Sequence, residues 1–363
     1  MDPLAALGWD ADWAEAFAPL AARGHRPARV VAVHRETSIV REAGGGDDRP
    51  AAVSGSFRFD ALAASEYPTV GDWVALDTSG VIAAILPRRT TFRRMATDAT
   101  RQGAGLNDEQ VMAANVDVAL LVAGLDHDFN LRRIERYLAV ARSSGIAPVV
   151  VLNKADVEDD VEGVRAAVGT IAPDVPIVAV SARTGVGLDA LRTHLRPGAT
   201  AAILGSSGVG KSTLVNALLG EERQKTSEVR VADSRGRHTT THRELFELPS
   251  GALLVDTPGI RALEVLGAEE GVETSFDDVA AIAATCRFSD CGHDREPGCA
   301  VRAAIAEGRL APERLASHRK LERELARVDR QTDARARAEY RRTLQRVQKS
   351  AAQQAARKDG RDR

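Results

Sequence analysis

The clearest chemical motif is the glycine-rich segment ILGSSGVGKST at residues 203–213. It fits the pattern G-x-x-x-x-G-K-[ST], with Gly205, Gly210, Lys211 and Ser212 at the fixed positions. Glycines let the backbone curve around phosphates so that successive N–H groups point at them, and the positive end of the following helix adds to the attraction. Lys211 would reach the β- and γ-phosphates, and the Ser212 hydroxyl would bind Mg²⁺. The predicted nucleotide contacts of this loop are Gly205, Ser206, Ser207, Gly208, Val209, Gly210, Lys211, Ser212 and Thr213.

A glycine-rich turn between a strand and a helix, without any ligand, is the plainer interpretation of this loop. An apolar strand precedes the loop and a helical segment follows it, as a phosphate-binding loop requires. This context favours nucleotide binding.

A second motif, Asn-Lys-Ala-Asp, is of the type that reads guanine. The Asp156 carboxylate can accept hydrogen bonds from N1–H and N2–H of guanine, whereas adenine lacks that donor pair and would leave the carboxylate desolvated and unsatisfied. The Lys154 stem can lie along the base, and Asn153 can tie the loop to its neighbours. In the later segment VSART, the backbone N–H groups of Ser181 and Ala182 can reach guanine O6.

Two further segments are placed to contact the γ-phosphate and Mg²⁺. In VDTPG, the Asp256 carboxylate can hold Mg²⁺ through a water, and Gly259 can donate its N–H to the γ-phosphate. The loop RGRHTTTHRE lies between the phosphate loop and VDTPG. Thr240, with Thr241 as the second choice, is placed to complete the Mg²⁺ shell. A plain polar loop is the alternative, but the position favours a switch that orders around γ-phosphate and Mg²⁺.

The strands that carry these motifs predict an α/β domain. Near-continuous apolar strands alternate with helices, which is typical of a parallel sheet covered on both faces, and ligands bind at the carboxyl ends of such strands. Along the chain NKAD and VSART precede the phosphate loop, a rotation of the usual order of guanine-nucleotide-binding domains. Rotation is feasible because domain termini usually lie close together. VDTPG then lies near the end of the domain, so whatever follows Gly259 is attached to a γ-phosphate sensor.

The chain's three cysteines all lie in the segment CRFSDCGHDREPGC. The spacing C-x₄-C-x-H-x₅-C supplies three thiolates and one imidazole, a closed tetrahedral shell for one structural zinc ion. Buried or free thiols are the alternative, which this clustering disfavours. A zinc knuckle can face RNA or serve as a simple staple. The predicted zinc ligands are Cys286, Cys291, His293 and Cys299.

Upstream of the α/β domain, short strand-like runs predict a small β-barrel of the oligonucleotide-binding (OB) type. They include AAVSGSFRF, VGDWVALD and GVIAAILP, and a helical extension and linker precede them. The barrel exit, PRRTTFRRM, is either a phosphate-contacting rim or an ordinary charged loop. Its arginines are Arg88, Arg89, Arg93 and Arg94.

The predicted domains are a helical extension at 1–27, the OB-fold barrel at 28–110, a circularly permuted P-loop G domain at 111–265 and a zinc-binding helical domain with a basic tail at 266–363.

Composition sets the broad class of the protein. The 363 residues are 44% hydrophobic and 28% charged, as in soluble globular proteins. The acidic first residues do not read as a signal peptide, so we expect a cytoplasmic protein without a membrane partner. Residues 312–363 carry 16 Lys and Arg against 8 Asp and Glu, whereas residues 1–311 carry 33 against 43. A basic tail on an acidic body suggests either an anionic partner such as nucleic acid or a solvated, mixed-charge helix.

Taken together, the motifs resemble the RsgA (YjeQ/YloQ) family. The likeness runs from LGWD near the start through NKAD, GSSGVGKST, RGRHTTTHREL and DTPGIR to CRFSDCGHDREPGCAV. The resemblance implies a GTPase of small ribosomal subunit maturation that binds GTP and GDP with Mg²⁺. It also implies that the barrel and the zinc domain contact ribosomal RNA, and that the subunit stimulates hydrolysis. We expect hydrolysis to release the protein from the subunit. We expect a monomer. A permuted GTPase acting on another RNA assembly, and an RNA-binding module with a structural nucleotide site, remain alternatives.

The residue that orients the attacking water is a separate question. Ile260 follows DTPG where Ras-like enzymes place a glutamine, and isoleucine cannot hydrogen-bond a water. His238 in the threonine-rich loop is the candidate, although a histidine that only packs or binds RNA is the alternative. Gly208 occupies the place where some G proteins carry an asparagine for a monovalent cation, so no potassium site of that kind is expected.

Overall fold

The computed structural model describes most of the predicted elements. The described residues are 3–34, 37–43, 47–61, 63–95, 109–126, 129–221, 243–256 and 275–325. They form a small barrel, a mixed sheet with helices on both faces, and a helical C-terminal module. No helix in these ranges is both long enough and apolar enough to span a membrane.

Two short helices precede the barrel, where the sequence predicted one. Helix α1, Pro3–Ala6, ends before Gly8, whose φ is +84° and whose added Cβ would lie 2.5 Å from Gly198 O. Helix α2, Ala11–Ala21, is capped by Asp10, whose Oδ1 accepts from Trp13 N at 3.0 Å. Its aromatic residues, with Trp9, pack on Trp73 of the barrel. The extension is therefore part of the barrel's core.

Five strands close into a barrel. They are β1 (Arg26–His34), β2 (Thr37–Glu42), β3 (Arg49–Ala51), β4 (Trp73–Leu76) and β5 (Ile82–Ile85). Strand β1 pairs with β2 and β4, β2 with β3, and β4 with β5. A bridge between Val53 and Ile82 joins the end of β3 to β5 and completes the circle. This closed order, β1-β2-β3-β5-β4, is the one that the predicted OB fold requires.

One predicted strand is wrong. The run AAVSGSFRF was expected to be extended, but Gly55–Asp60 forms helix α3. Ser54 provides the reason, because its Oγ accepts a hydrogen bond from Phe57 N at 3.1 Å and so caps the helix. Only the beginning of the run is extended.

The basic segment after the barrel enters a β-hairpin, made of β6 (Thr91–Met95, which contains Arg93 and Arg94) and β7 (Glu109–Ala114). Arg88 forms two 2.8 Å hydrogen bonds with the fully buried Asp72, and Arg89 Nη1 lies 2.6 Å from Asp10 Oδ2. Both arginines therefore pair with carboxylates of this same chain. The predicted domain limit at 110/111 lies within β7, and all the domain limits stay predictions.

The α/β sheet has the strand order β10-β9-β8-β11-β13-β12. Its strands are β8 (Val118–Gly124), β9 (Ala147–Asn153), β10 (Ile177–Ala179), β11 (Thr200–Leu204), β12 (Arg243–Glu247) and β13 (Leu253–Asp256). The helices are α4 (Leu131–Ser143), α5 (Val161–Ile171), α6 (Leu188–Arg192) and α7 (Lys211–Leu219). All neighbouring strands are parallel except β12 and β13, which are antiparallel. The predicted parallel sheet is confirmed, and β12 is its one antiparallel strand among the described residues.

Both faces of the sheet are covered, as predicted. Along β8, Ala119 and Leu121 belong to one buried cluster, whereas Leu120 and Val122 belong to another. Alternate residues of a strand point to opposite faces, so the two clusters lie on opposite sides of the sheet.

The barrel and the α/β sheet form one continuous sheet. Strand β1 pairs with β12 through Ala32 with Glu244 and Val33 with Arg243. Beside this seam lies Arg29, which is 2% exposed. Its guanidinium donates to Leu7 O, to Asn115 O at 3.3 Å and to Thr200 Oγ1 at 2.8 Å, so one side chain joins α1, the barrel and β11.

The C-terminal module packs on α4. It contains α8 (Asp277–Ala283), α9 (Ala300–Ala306) and a helix at 312–325, here α10. Arg314 of α10 donates to Glu135 Oε1 of α4 at 2.7 Å and to Ser275 O at 2.6 Å. Apolar residues of the module belong to the same buried cluster as those of α4.

Candidate nucleotide and metal sites

The phosphate loop connects β11 to α7, and α7 begins at Lys211 as expected. Gly205 is closely packed, since an added Cβ would lie 2.6 Å from Val122 O. Gly210 has a φ of +88°, and a Cβ there would overlap Asn153 Nδ2. Ser207 and Gly208 form the exposed crest, whereas Val209 is buried in the core. The loop is thus anchored at both ends with its crest open to solvent.

Lys211 lies inside the curve of this loop. Its Nζ donates to Gly205 O at 2.8 Å and to Ser206 O. Ser206 is held from the other side by Arg133 of α4, whose Nη1 lies 2.7 Å from Ser206 Oγ. Lys211 and Arg133 therefore hold Ser206 from two sides.

Asn153, at the end of β9, brings three of the predicted motifs together. The side chain is 2% exposed. Its Nδ2 donates to Val209 O of the phosphate loop at 2.8 Å, and its Oδ1 accepts from Ala182 N of VSART at 3.0 Å. A buried amide whose donor and acceptor are both satisfied fixes the spacing of these segments.

Lys154 lies across the phosphate loop. Its backbone has a φ of +66°, and its Nζ donates to Gly208 O at 2.7 Å. The same ammonium forms an ion pair with Asp126, which follows the end of β8. The predicted guanine loop and phosphate loop are therefore in direct contact.

Asp156 is ionised at the edge of this site. A hydrogen bond from Ser181 and the neighbouring Arg183 guanidinium hold the pKa of Asp156 below its usual range. A carboxylate that stays charged suits the two N–H donors of a guanine edge. The N–H groups predicted to reach O6 have protein acceptors, since Ser181 N donates to Val186 O at 2.9 Å and Ala182 N to Asn153 Oδ1.

The predicted magnesium ligands are described only in part. Ser212 is in the first turn of α7, directly after Lys211. Asp256 ends β13, and β13 pairs in parallel with β11, which leads into the phosphate loop. A hydroxyl and a carboxylate are oxygen donors that fit Mg²⁺. Gly259, Thr240, Thr241, His238 and Ile260 lie outside the described residues.

The four predicted zinc ligands lie together. The sulfur and imidazole nitrogen atoms of Cys286, Cys291, His293 and Cys299 are all within 4.8 Å of one another. Zn–S bonds of about 2.3 Å in a tetrahedron place sulfur atoms about 3.8 Å apart, so this donor set fits zinc. His293 Nδ1 faces the thiols, 3.6 Å from Cys286 Sγ and 3.5 Å from Cys299 Sγ.

The loop around the ligands is organised by its own backbone. The Glu296 carboxylate accepts N–H hydrogen bonds from Gly292, Asp294 and Arg295 at 2.8–3.0 Å. Cys299 caps α9, with Arg302 N 3.5 Å from its sulfur. A thiolate there faces the positive end of the helix. Four such ligands would fill the tetrahedral shell of one zinc ion and leave no open position for catalysis.

Two residues of the nucleotide site were missed by sequence reasoning. Asp126 and Arg133 flank the start of α4 and reach Lys154 and Ser206 across about 30 and 70 residues of chain. The position of Asp126 just after a strand that runs beside β9 is a usable signal, because strand ends meet at one edge of the sheet. Nothing in the sequence distinguishes Arg133 from its neighbour Arg132.

The comparisons with known proteins point to one family. A family model described as RsgA GTPase matches residues 85–266. The chain is 50% identical over 345 residues to a small ribosomal subunit biogenesis GTPase RsgA of Opitutus terrae, covering 91% of this chain and 92% of that protein. It is 44% identical over 354 residues to the protein of that name in Streptomyces coelicolor, with 94% and 92% covered.

Two solved structures are similar in fold. YjeQ from Thermotoga maritima aligns with a TM-score of 0.60 and 30% identity, covering 83% of this chain and 99% of that chain. YloQ, described as a circularly permuted GTPase, aligns with a TM-score of 0.56 and 23% identity, covering 83% and 95%. These likenesses agree with the rotated motif order.

Proposed function

The chain belongs to the RsgA GTPase family, and on that basis we propose that it hydrolyses GTP in the biogenesis of the small ribosomal subunit. The single observation that carries the proposal is the position of Asn153, hydrogen-bonded to both the phosphate loop and VSART. This contact supports one nucleotide cradle built from three segments that are distant in the chain.

Guanine recognition is assigned to Asp156, with Lys154, Asn153, Ser181 and Ala182 shaping the base site. The lowered pKa of Asp156 keeps its carboxylate charged. Lys154 lies between the base site and the phosphate loop. Adenine would leave this charge without donors, which is the basis of the selectivity.

Phosphate binding is assigned to the loop from Gly205 to Thr213. Its backbone N–H groups, the start of α7 and the Lys211 ammonium supply positive charge. Ser212, Thr240 and Asp256 would hold Mg²⁺, which neutralises charge on the phosphates when bound. Gly259 would donate to the γ-phosphate, and His238 is the candidate for orienting water.

The zinc module is the part whose position the bound nucleotide would control. We propose that GTP orders the segment after Asp256 and thereby fixes the module, that the protein then docks on the immature small subunit, and that loss of the γ-phosphate releases it. The barrel and the module are the proposed contacts with ribosomal RNA. The protein is proposed to act as a cytoplasmic monomer.

GTP turnover with purified ribosomal subunits tests the proposal. We expect small subunits to raise turnover well above the intrinsic rate and large subunits to leave it unchanged. Stimulation by large subunits instead would point to a different RNA assembly. A Lys211→Ala variant that binds RNA and functions normally would make the nucleotide site merely structural.

Guanine recognition has its own test, with Asp156→Asn. The asparagine amide cannot accept both guanine N–H groups, so GTP affinity should fall about 100-fold while xanthosine triphosphate, which offers a carbonyl at C2, binds better. The matched control is Asp189→Asn, since Asp189 is 98% exposed on α6. Unchanged GTP affinity in Asp156→Asn contradicts the base assignment.

The release step is tested by binding to small subunits. The affinity with a non-hydrolysable GTP analogue should exceed the affinity with GDP. Equal affinities would contradict the cycle.

The water-orienting role of His238 is tested with His238→Ala. This variant should lose subunit-stimulated turnover while it keeps nucleotide affinity; unchanged turnover removes His238 as the water-orienting group.

A further inference from the structure

Helix α4 contacts the phosphate loop and the metal module within one turn. Arg133 Nη1 lies 2.7 Å from Ser206 Oγ, and Glu135 Oε1 accepts from Arg314 of the module at 2.7 Å. Residues two apart on an α-helix point about 200° away from each other. The N-terminal part of α4 therefore contacts the loop through Arg133 and the module through Glu135.

Helix α4 makes further polar contacts with the module. Arg136 Nη1 lies 2.9 Å from Glu324 Oε2 of α10, and Arg142 Nη1 lies 3.3 Å from Ser275 Oγ. Glu135 is 4% exposed and Arg314 is 8% exposed, so their pair is shielded from water. A shielded pair responds more strongly to displacement of one partner than an exposed pair does.

Ser206 connects Lys211 of the phosphate loop to α4. Its carbonyl accepts from Lys211 Nζ, and its hydroxyl contacts Arg133. Phosphates compete with that carbonyl for the N–H groups of Lys211. A change in the position of Ser206 is then felt directly by α4.

We propose that Arg133 is a positioning residue for the phosphate loop, and that α4 links nucleotide binding there to the seating of residues 275–325. This route is additional to the chain connection after Asp256, and it rests on the proposed nucleotide site. Linkage requires reciprocity, so whatever loosens the module must also change the preference of the site between GTP and GDP.

The test uses the full chain loaded with zinc. Affinities for GDP and a non-hydrolysable GTP analogue are measured first, and amide hydrogen exchange of 275–283 and 312–325 is then compared between the two bound states. The wild type should show slower exchange with the analogue. Arg133→Ala should reduce that nucleotide-dependent difference by more than half. Arg132→Ala, which removes the same charge from an exposed position one residue away, should keep it.

Two further variants guard against a folding defect. Ser206→Ala removes the same contact from the other side and should give the same loss as Arg133→Ala. Glu135→Gln, which weakens the Arg314 pair, should shift the ratio of analogue to GDP affinity about fivefold. If both bound states exchange alike in the wild type, or if Arg133→Ala behaves like Arg132→Ala, the inference is overturned while nucleotide affinity still supports the proposed function. Absence of any guanine-nucleotide binding would overturn both.

Discussion

The barrel and the metal module are both attached to the α/β domain, but through different kinds of contact. The barrel continues the sheet through the backbone pairing of β1 with β12, and the buried Arg29 donates mainly to carbonyl oxygens. The module is joined by side chains, chiefly Arg314 with Glu135, together with apolar packing on α4. Backbone pairing fixes both distance and register, whereas side-chain pairs can be remade in another arrangement.

The barrel is therefore the fixed arm of the molecule, and the metal module is the arm whose position can change. The barrel's seam runs beside β13, at whose end Asp256 lies, so its position is tied to the nucleotide site by the sheet. The module meets the domain at α4, next to the phosphate loop. We therefore expect perturbations of the metal site and of Arg314 to act locally, and perturbations of Arg29 to act on the whole protein.

Removing zinc should have the largest effect. A closed structural zinc site contributes about 10–16 kcal/mol in zinc-finger peptides, more than the few polar contacts of the module can replace. Cys299→Ser or a strong chelator should remove amide-exchange protection from 275–325 while strands β1 to β5 stay protected.

The control for Cys299→Ser is Ser289→Ala, an exposed position in the same loop, which should leave exchange unchanged. Equal loss of protection in the barrel and the module would show that the two arms are not separately attached.

Replacing Arg29 should be the next most severe change. Burial lowers the pKa of Arg29 to about 10, so it is charged at neutral pH and its acceptors depend on it. Arg29→Met would leave several buried acceptors without donors and should lower the free energy of unfolding by about 4 kcal/mol. Fluorescence-monitored denaturation reports on this region, since the chain's three tryptophans are Trp9, Trp13 and Trp73.

Arg41→Met is the matched control for Arg29→Met. Arg41 lies in β2 of the same barrel and pairs with Asp48 and, at 3.8 Å, with the half-exposed Glu247 of β12, so its loss should cost at most about 1 kcal/mol. If the two variants unfold at the same denaturant concentration, the seam is not held by Arg29.

Arg314→Met should act on the module alone. The buried Glu135 would lose its partner, which we expect to cost about 3 kcal/mol. Exchange should rise in 312–325 and 275–283, with the tryptophan-monitored transition of the barrel unchanged. Arg309→Met, which removes an exposed arginine paired with Glu307 in the same module, is the control. A shifted tryptophan transition in Arg314→Met would erase the distinction between the arms.

Local patterns made much of this fold predictable. Asn130 before an apolar stripe and Gly145 after it are local signals for α4. In the structure, Asn130 Oδ1 accepts from Arg132 N, and Gly145 has a φ of +68°. Cysteine spacing likewise predicted the metal cluster, because its ligands lie within one loop. Ser54 shows the limit, since a capping serine outweighed the β-branched and aromatic character of its neighbours.

What could not be predicted depends on pairing between distant segments. The seam joins residues more than 200 apart in the chain, and no local pattern states which exposed edge β1 will meet. Arg29 and Arg133 look like ordinary arginines in the sequence. Arg29 becomes buried only when the barrel meets the α/β domain, and Arg133 reaches Ser206 only when distant segments of that domain fold together.

The smallest expected effect concerns the ion pair between Asp10, which caps α2, and Arg89, which follows the barrel. The Asp10 carboxylate accepts hydrogen bonds from Arg89, which stacks on Trp13 at 4.2 Å, and these bonds hold the pKa of Asp10 below its usual range. The pair therefore contributes stability above the unfolded-state pKa of about 3.9 and loses it as the pH falls toward the lower folded-state pKa. Both side chains are partly exposed, so the effect should be at most about 1 kcal/mol.

Asp10→Asn removes the charge of Asp10 but keeps its capping role, since asparagine can also cap α2. Between pH 5 and pH 3 the variant should show a shallower change than the wild type in the tryptophan-monitored free energy of unfolding. Asp12→Asn, at a carboxylate that is 85% exposed and 3.5 Å from Arg89, should behave as the wild type does. Identical pH slopes for all three proteins would mean that the barrel is held by backbone pairing and Arg29 without help from this surface pair.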